Sequence, residues 1–198
     1  KHSRMPVQIL EIDQLHIHAE GIDYTHTIET GEAIHEVLVL SRHVSSSNTP
    51  AITLHAIGLP GETPIGEPGI AGGERGFVVP PSPRFASLYR KMLEIARDED
   101  LHEEFDLTME TTHHGPKLES PSLYIEIGST ELEWNRKDVA DVWSNVICDV
   151  LGLNDGEPLG IWDGNGSVMV GFGGGHYAPR HKAVVESGNF WLGHVLAN

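Results

Sequence analysis

The chain of 198 residues is long enough for one large domain or two small ones, and its 39% apolar content supports a real core while falling short of a membrane protein. Twenty-nine acidic residues against thirteen Lys and Arg give a formal charge of -16, which argues against a broad nucleic-acid-coating surface but leaves room for a local basic patch. No apolar run approaches the roughly 18 residues of a membrane span, Lys1-His2-Ser3-Arg4-Met5 lacks a signal peptide's apolar stretch, and the single Cys148, in a helical pattern, reads as a small core residue.

In chain order, residues 7 to 12 and 15 to 18 alternate weakly, as short strands would, and Glu36 to Leu40 predicts a firmer buried strand ending at Ser41-Arg42-His43. Ala51 to Ile57 is a second strand and carries His55. Residues 58 to 76 hold seven glycines and three prolines and read as one long surface loop, after which Phe77-Val78-Val79 returns to the sheet. Ser82 and Pro83 predict a helix start, and Phe85, Leu88, Tyr89, Met92, Leu93 and Ala96 fall on one helical stripe. Phe105 to Glu110 alternates as a strand, and Leu123 to Ile127 does the same around Glu126. Thr130 and Glu133 form a capping box for a second helix with Val139, Val142, Trp143, Val146, Ile147 and Val150 inward, ended by Gly152. Ser167 to Phe172 and Phe190 to Leu196 complete the strands. This order predicts an α/β protein with a layered mixed sheet and flanking helices.

Two runs stand out from that frame: Thr112-His113-His114-Gly115-Pro116 and Gly173-Gly174-Gly175-His176-Tyr177-Ala178-Pro179. Each sets imidazole beside permissive glycine at a strand end, where it can bind metal or move protons. In a regular strand His113 and His114 would face opposite ways, so a shared metal requires a loop. In open α/β sheets the site lies beyond the carboxyl ends of strands, where His43, His113, His114 and His176 fall. Each feature has a plainer alternative: close packing for the glycines, a solvent-facing carboxylate for Glu126, and hydrogen-bonded core histidines for His55 and His194. Arg42, Arg84, Lys117, Arg180 and Lys182 stand near these loops and are either anion contacts or solvated side chains. The remaining histidines, His16 among them, have no motif around them.

Ser41-Arg42-His43, Pro50 to His55, Thr112 to Pro116, Ile125-Glu126-Ile127-Gly128-Ser129-Thr130-Glu131 with Trp134, Gly173 to Pro179, and Gly193-His194 follow one another in an order that resembles the D-aminoacyl-tRNA deacylase family of archaea and plants. The plant-type members are the closer match around Gly173 to His181. The resemblance implies a zinc-dependent esterase with a phosphorylase/hydrolase-like α/β fold that frees D-amino acids from the acceptor end of tRNA in translation quality control. It implies a cytoplasmic protein, or a nuclear one in a eukaryote, with no membrane and no obligate protein partner.

On that footing His113, His114, His176 and Glu126 are the expected catalytic groups. His43 joins these four as an expected metal ligand, with His55, Glu110 and His194 behind them. Arg42, Thr112, Lys117, Gly173, Gly174, Gly175, Tyr177 and Arg180 are expected to meet substrate or tRNA. The glycine amides would hold an oxyanion or phosphate, and Tyr177 would stack on the terminal adenine. Residues 36 to 198 form the expected catalytic domain. Residues 1 to 35 are expected to be strands or connector of the same domain or of a truncated neighbour, in a chain that reads as a fragment. A metal-dependent amidase or peptidase, or a phosphate-ligand binding module, would use the same residues.

Overall fold

A computed structural model describes residues 6–62, 71–188 and 190–198. Four strands, β1 (Val37–Arg42), β2 (Ala51–His55), β5 (Asp106–Leu107) and β6 (Ser122–Gly128), form the main sheet in the order β1-β6-β2-β5. β1 runs parallel to β6, β2 antiparallel to it, and β5 parallel to β2, so the mixed sheet expected from the sequence is present. Among the described residues no helix is long and apolar enough to cross a membrane.

The two faces of this sheet differ, and the register shows how. Leu123, Ile125, Ile52 and Leu54 point to one side and join the main core with helices α2 (Phe85–Asp98) and α4 (Lys137–Leu151). All six residues of the α2 stripe are buried, each worth about 1.5–3 kcal/mol when large and fully removed from water. Tyr124 and Val39, paired in register, point the other way and pack with Val37, Ile17 and Ile22 in a smaller core. Strand alternation puts Glu126, Thr53, His55 and Ser41 on this second face as well. One face is therefore a packing surface, and the other carries the polar chemistry.

Several local expectations are corrected. Residues 7 to 12 form no strand, His16–His18 is a 3-10 turn, and α1 (Ile22–Thr30) follows it. Among the described residues β1 has a strand partner on one side only, so it lies at the sheet edge with Leu40 exposed. Phe77 and Val78 form β4, which pairs with β3 (Gly58–Leu59) in a separate two-stranded unit. The expected loop over 58 to 76 is thus flanked by short strands, and residues 63–70 lie outside the described residues. Helix α2 begins at Phe85, with Ser82 accepting from the Arg84 amide at 3.0 Å and donating to Glu36, which also pairs with Arg84. The Thr130–Glu133 capping box starts a four-residue helix, α3 (Glu131–Trp134), and α4 opens separately at Lys137. Cys148 is half-buried in α4.

The last strands, β7 (Val168–Phe172) and β8 (Trp191–Leu196), pair in parallel, and α5 (Pro179–Glu186) lies between them in sequence. Beyond β5 the chain continues alongside β2 through Thr108 N–H to Ile52 O (3.0 Å) and Glu110 N–H to Leu54 O (3.1 Å). Thr112 N–H then donates to Val195 O at 2.6 Å and Thr111 N–H to His176 O at 2.8 Å, joining the smaller sheet to the larger one. This junction brings the two histidine-glycine runs together.

Candidate active site

Five segments converge on Glu110 and Glu126. Glu126 stands on the polar face of β6, almost completely buried, and Glu110 follows β5 with its side chain fully buried. His43, just past β1, places Nδ1 3.2 Å from Glu110 Oε1 and 3.4 Å from Glu126 Oε2. Its Nε2 lies 2.9 Å from the Tyr177 hydroxyl, which itself donates to Ser45 Oγ at 3.0 Å, so His43 Nε2 is the donor to Tyr177. Burial opposes charge on His43, but contact with Glu126 and the field of Glu110 prevail and raise its pKa. Burial pushes Glu126 up, yet His43 and the surrounding imidazoles bring it down to about 2. Glu110 is also held below the usual carboxylate range against its burial, chiefly by His176.

His55, His113 and His114 form the other half of the site. Their Nδ1 atoms lie 3.0, 2.7 and 2.7 Å from the backbone oxygens of Ala56, Thr111 and Gly115. A carbonyl only accepts, so each Nδ1 carries a proton, which leaves Nε2 as the position for a lone pair. His114 adopts a left-handed backbone, φ 41°, and this turn lets adjacent imidazoles reach one cluster instead of opposite faces, with ring centroids 4.5 Å apart. Burial and the neighbouring imidazoles lower His113 well below the usual range and take His114 to about 4. His55 also stacks on Tyr124, centroids 5.0 Å apart and planes 6° from parallel.

Three overlapping groups, His55-His113-His114, Glu110-His113-His176 and His43-Glu110-Glu126, each offer ligand atoms within 4.8 Å of one another. His55 Nε2, both Glu110 carboxylate oxygens and His176 Nε2 are buried without a hydrogen-bond partner among the described residues. His176 Nε2 and Glu110 Oε2 approach to 2.6 Å, but not with hydrogen-bond geometry. Unpaired buried acceptors facing one another cost free energy unless a cation or proton lies between them. The donor set therefore fits a divalent metal, and imidazoles anchored through Nδ1 are the usual form of a nitrogen ligand. The His176 side chain is 32% exposed, whereas those of His43, His55 and His113 are buried.

The expected site residues thus separate. His43, His113, His114, His176, Glu126 and Glu110 are brought together, and His55 lies among them instead of behind. They meet over one face of the sheet, because β1 and β5 deliver them from opposite directions, and not beyond one row of carboxyl ends. Thr112 is buried, its hydroxyl 3.0 Å from His194 Nδ1 and accepting from Val195 N–H. The Gly173 amide donates to Leu196 O at 2.7 Å, leaving Gly174 and Gly175 as the amides with which that loop could hold a ligand. Tyr177 stacks on His176, centroids 5.1 Å apart. Lys117 pairs with Glu74, whereas Arg42 and Arg180 have no carboxylate partner among the described residues. Gly128 sits so close to His43 that a Cβ there would come within 2.6 Å of His43 Cβ. His16 escaped the sequence reading: it joins Ser41 Oγ and the Tyr124 hydroxyl at 3.0 Å each, a contact no local motif announces.

A family model described as D-aminoacyl-tRNA deacylase matches residues 30–198. The chain belongs to the D-aminoacyl-tRNA deacylase family. An Arabidopsis thaliana relative named D-aminoacyl-tRNA deacylase is 37% identical over 202 aligned positions, covering 98% of this chain and 62% of its own length. One of the same name from Archaeoglobus fulgidus is 34% identical, covering 82% of this chain and 53% of its own. The crystal structure of a conserved protein of unknown function superposes with a TM-score of 0.74 at 31% identity, over 93% of this chain and 59% of that one. The chain therefore spans less than two thirds of the length of these deacylase-family relatives.

Proposed function

We propose that this protein hydrolyses the ester joining a D-amino acid to the terminal ribose of tRNA, releasing both, with a zinc ion held by His55, His113 and His114. The observation that carries the reading is the convergence of three carbonyl-anchored imidazoles, one of which, His113, lies 3.7 Å from a buried Glu110 whose oxygens have no hydrogen-bond partner among the described residues, beside the 32% exposed His176. Held by these three imidazoles, a metal would supply Lewis acidity and a water of lowered pKa. His176, its Nε2 turned to Glu110, would take the proton of the attacking water on Nδ1 and return it to the ribose oxygen as the ester C–O bond breaks, with Glu110 stabilising the imidazolium in between. His43 with Glu126 forms a fixed charged pair that aligns Glu110 from the other side. Gly174 and Gly175 amides face the developing oxyanion, and Arg42 and Arg180 meet the RNA.

We assign residues 16 to 30 to the same catalytic domain as residues 36 to 198, because Asp23 and His16 bond directly to the sheet and its loops. A cytoplasmic role in translation quality control accords with this substrate. The test presents the full-length protein with D- and L-aminoacyl-tRNA and with a peptide, with and without a chelator. D-selective ester cleavage that the chelator abolishes is expected. Peptide cleavage would favour a metal-dependent amidase, and chelator-resistant deacylation would leave the imidazoles as bases without a metal.

A further inference from the structure

Beside the histidine cluster a concavity of about 690 Å3 opens at the edge of β1 that has no strand partner among the described residues. Its walls include Asp13, Gln14, His16, Leu40, Arg42 and Trp134. The guanidinium of Arg42 lies over the Trp134 ring, Cζ 4.7 Å from its centroid. Arg42 is exposed and has no carboxylate partner among the described residues, although acidic side chains outnumber basic ones by 29 to 13. Seven of the other cations do have one. Trp134 is fixed by its Nε1–H donating to His43 O at 2.9 Å, so the groove begins one residue from the catalytic cluster.

We propose that this groove is a nucleobase subsite that takes an amino-bearing purine from the RNA end, stacked on the Arg42–Trp134 pair. The deduction rests on the deacylase reading for the identity of the RNA, but the subsite's chemistry stands on its own residues. Guanidinium planes and indoles are stacking platforms for bases. The Asp13 carboxylate and the Gln14 amide oxygen can accept from an exocyclic amine, a hydrogen bond that a bare phosphate cannot supply. Leu40, an exposed apolar side chain at the groove floor, gives the base an edge to cover. Tyr177 is the poorer platform, since one face of its ring is taken by His176 and its hydroxyl by His43 and Ser45. The groove also reaches inward: Ser41 holds His16, His16 holds the Tyr124 hydroxyl, and Gly115 O accepts from both Tyr124 (3.2 Å) and His114 Nδ1 (2.7 Å). An occupied groove thus braces the carbonyl that fixes the His114 tautomer.

The test titrates full-length protein with adenosine 5′-monophosphate, with ribose 5-phosphate and with a short extended peptide that could add to the β1 edge. Adenosine 5′-monophosphate is expected to bind at least tenfold more tightly than ribose 5-phosphate. Arg42→Lys, which keeps the charge and removes the plane, should weaken it about tenfold, the size of one lost stack. Leu40→Glu, at an exposed position that folding does not depend on, should weaken it similarly. Equal binding of the two phosphates, wild-type affinity in both variants, or binding of the peptide in place of the nucleotide overturns the proposal. Cleavage of a D-amino-acid ethyl ester, which carries no base, is followed in parallel on the wild type. Nucleotide binding without any ester or RNA cleavage ends the deacylase reading and leaves the subsite; cleavage without nucleotide binding does the reverse.

Discussion

Asp23 decides whether the N-terminal segment belongs to the catalytic unit. Its Oδ2 accepts from the backbone N–H groups of Glu119 (2.9 Å) and Ser120 (2.7 Å), tying α1 to the entry of β6, and its place in the first turn of α1 complements the helix dipole. Hydrogen bonds to a charged group contribute about 1.5–3 kcal/mol each when shielded. Here Ser120 is half-exposed and Glu119 exposed, so water recovers part of that on removal. Asp23→Ala should therefore cost about 2–3 kcal/mol, and Asp23→Asn about half as much because one acceptor oxygen remains. For a chain of this size that is a fall in Tm of roughly 5–10 °C for the alanine variant.

The pH dependence has a definite sign. Burial raises the Asp23 pKa, but the amides and hydroxyl around Ser120 and the amides of Tyr24 and Glu119 outweigh it and leave the folded value below that of the unfolded chain. The contribution is thus complete above the unfolded pKa, near 4, and is lost as pH falls from there through the folded value. Urea melts followed by circular dichroism at pH 7 and at pH 3 should show the wild type and Asp23→Ala well apart at the first and converging at the second. If Asp23→Ala melts within 1 °C of wild type at pH 7 while hydrogen exchange speeds up only across α1, residues 16 to 30 are not part of the cooperative unit and the domain assignment fails.

Gly128→Ala should lower deacylation at least tenfold, since its Cβ would displace His43 backbone and side chain alike, and a crystal structure with His43 unmoved would contradict this. Zinc at about 100 times its Kd should stabilise the protein by about 2.7 kcal/mol, and His55→Ala should abolish the resulting rise in Tm; an identical rise in the variant would remove His55 from the ligand set. Thr130→Ala breaks the capping box at α3 and should cost about 1 kcal/mol in a chemical melt.

The sequence showed most of what periodicity can carry. The stripe of α2 and the inward face of α4 were legible because 3.6-residue spacing survives any tertiary context, and only Ile147 of the expected α4 residues is less than fully buried. The sheet edge was not legible: Val37 to Leu40 is as apolar as a central strand, and nothing local says that one side lacks a partner. His113, His114 and His176 announced themselves through glycine and proline, and His43 through its place at the end of a strand. His55 did not, because a histidine between apolar strand residues looks the same whether it fills a core or offers a lone pair. His16 was further out of reach, since its partners Ser41 and Tyr124 lie 25 and 108 residues away. Glu126 shows the limit of alternation, which gives the face but not whether that face meets water.

The chemical groups come from separate stretches: His43 after β1, His55 at the end of β2, Glu110 to His114 after β5, Glu126 on β6, and His176 before α5. Even the set His55, His113 and His114 joins stretches some 58 residues apart in sequence, so a metal held there needs that long-range contact closed before it can bind. The chain must close its long-range contacts first, which is the slow part for a mixed sheet. A cation bound there then acts after the barrier: it slows unfolding and leaves the folding rate unchanged. If this cluster holds a cation, its supply would govern how long a finished molecule lasts and not how quickly one is made.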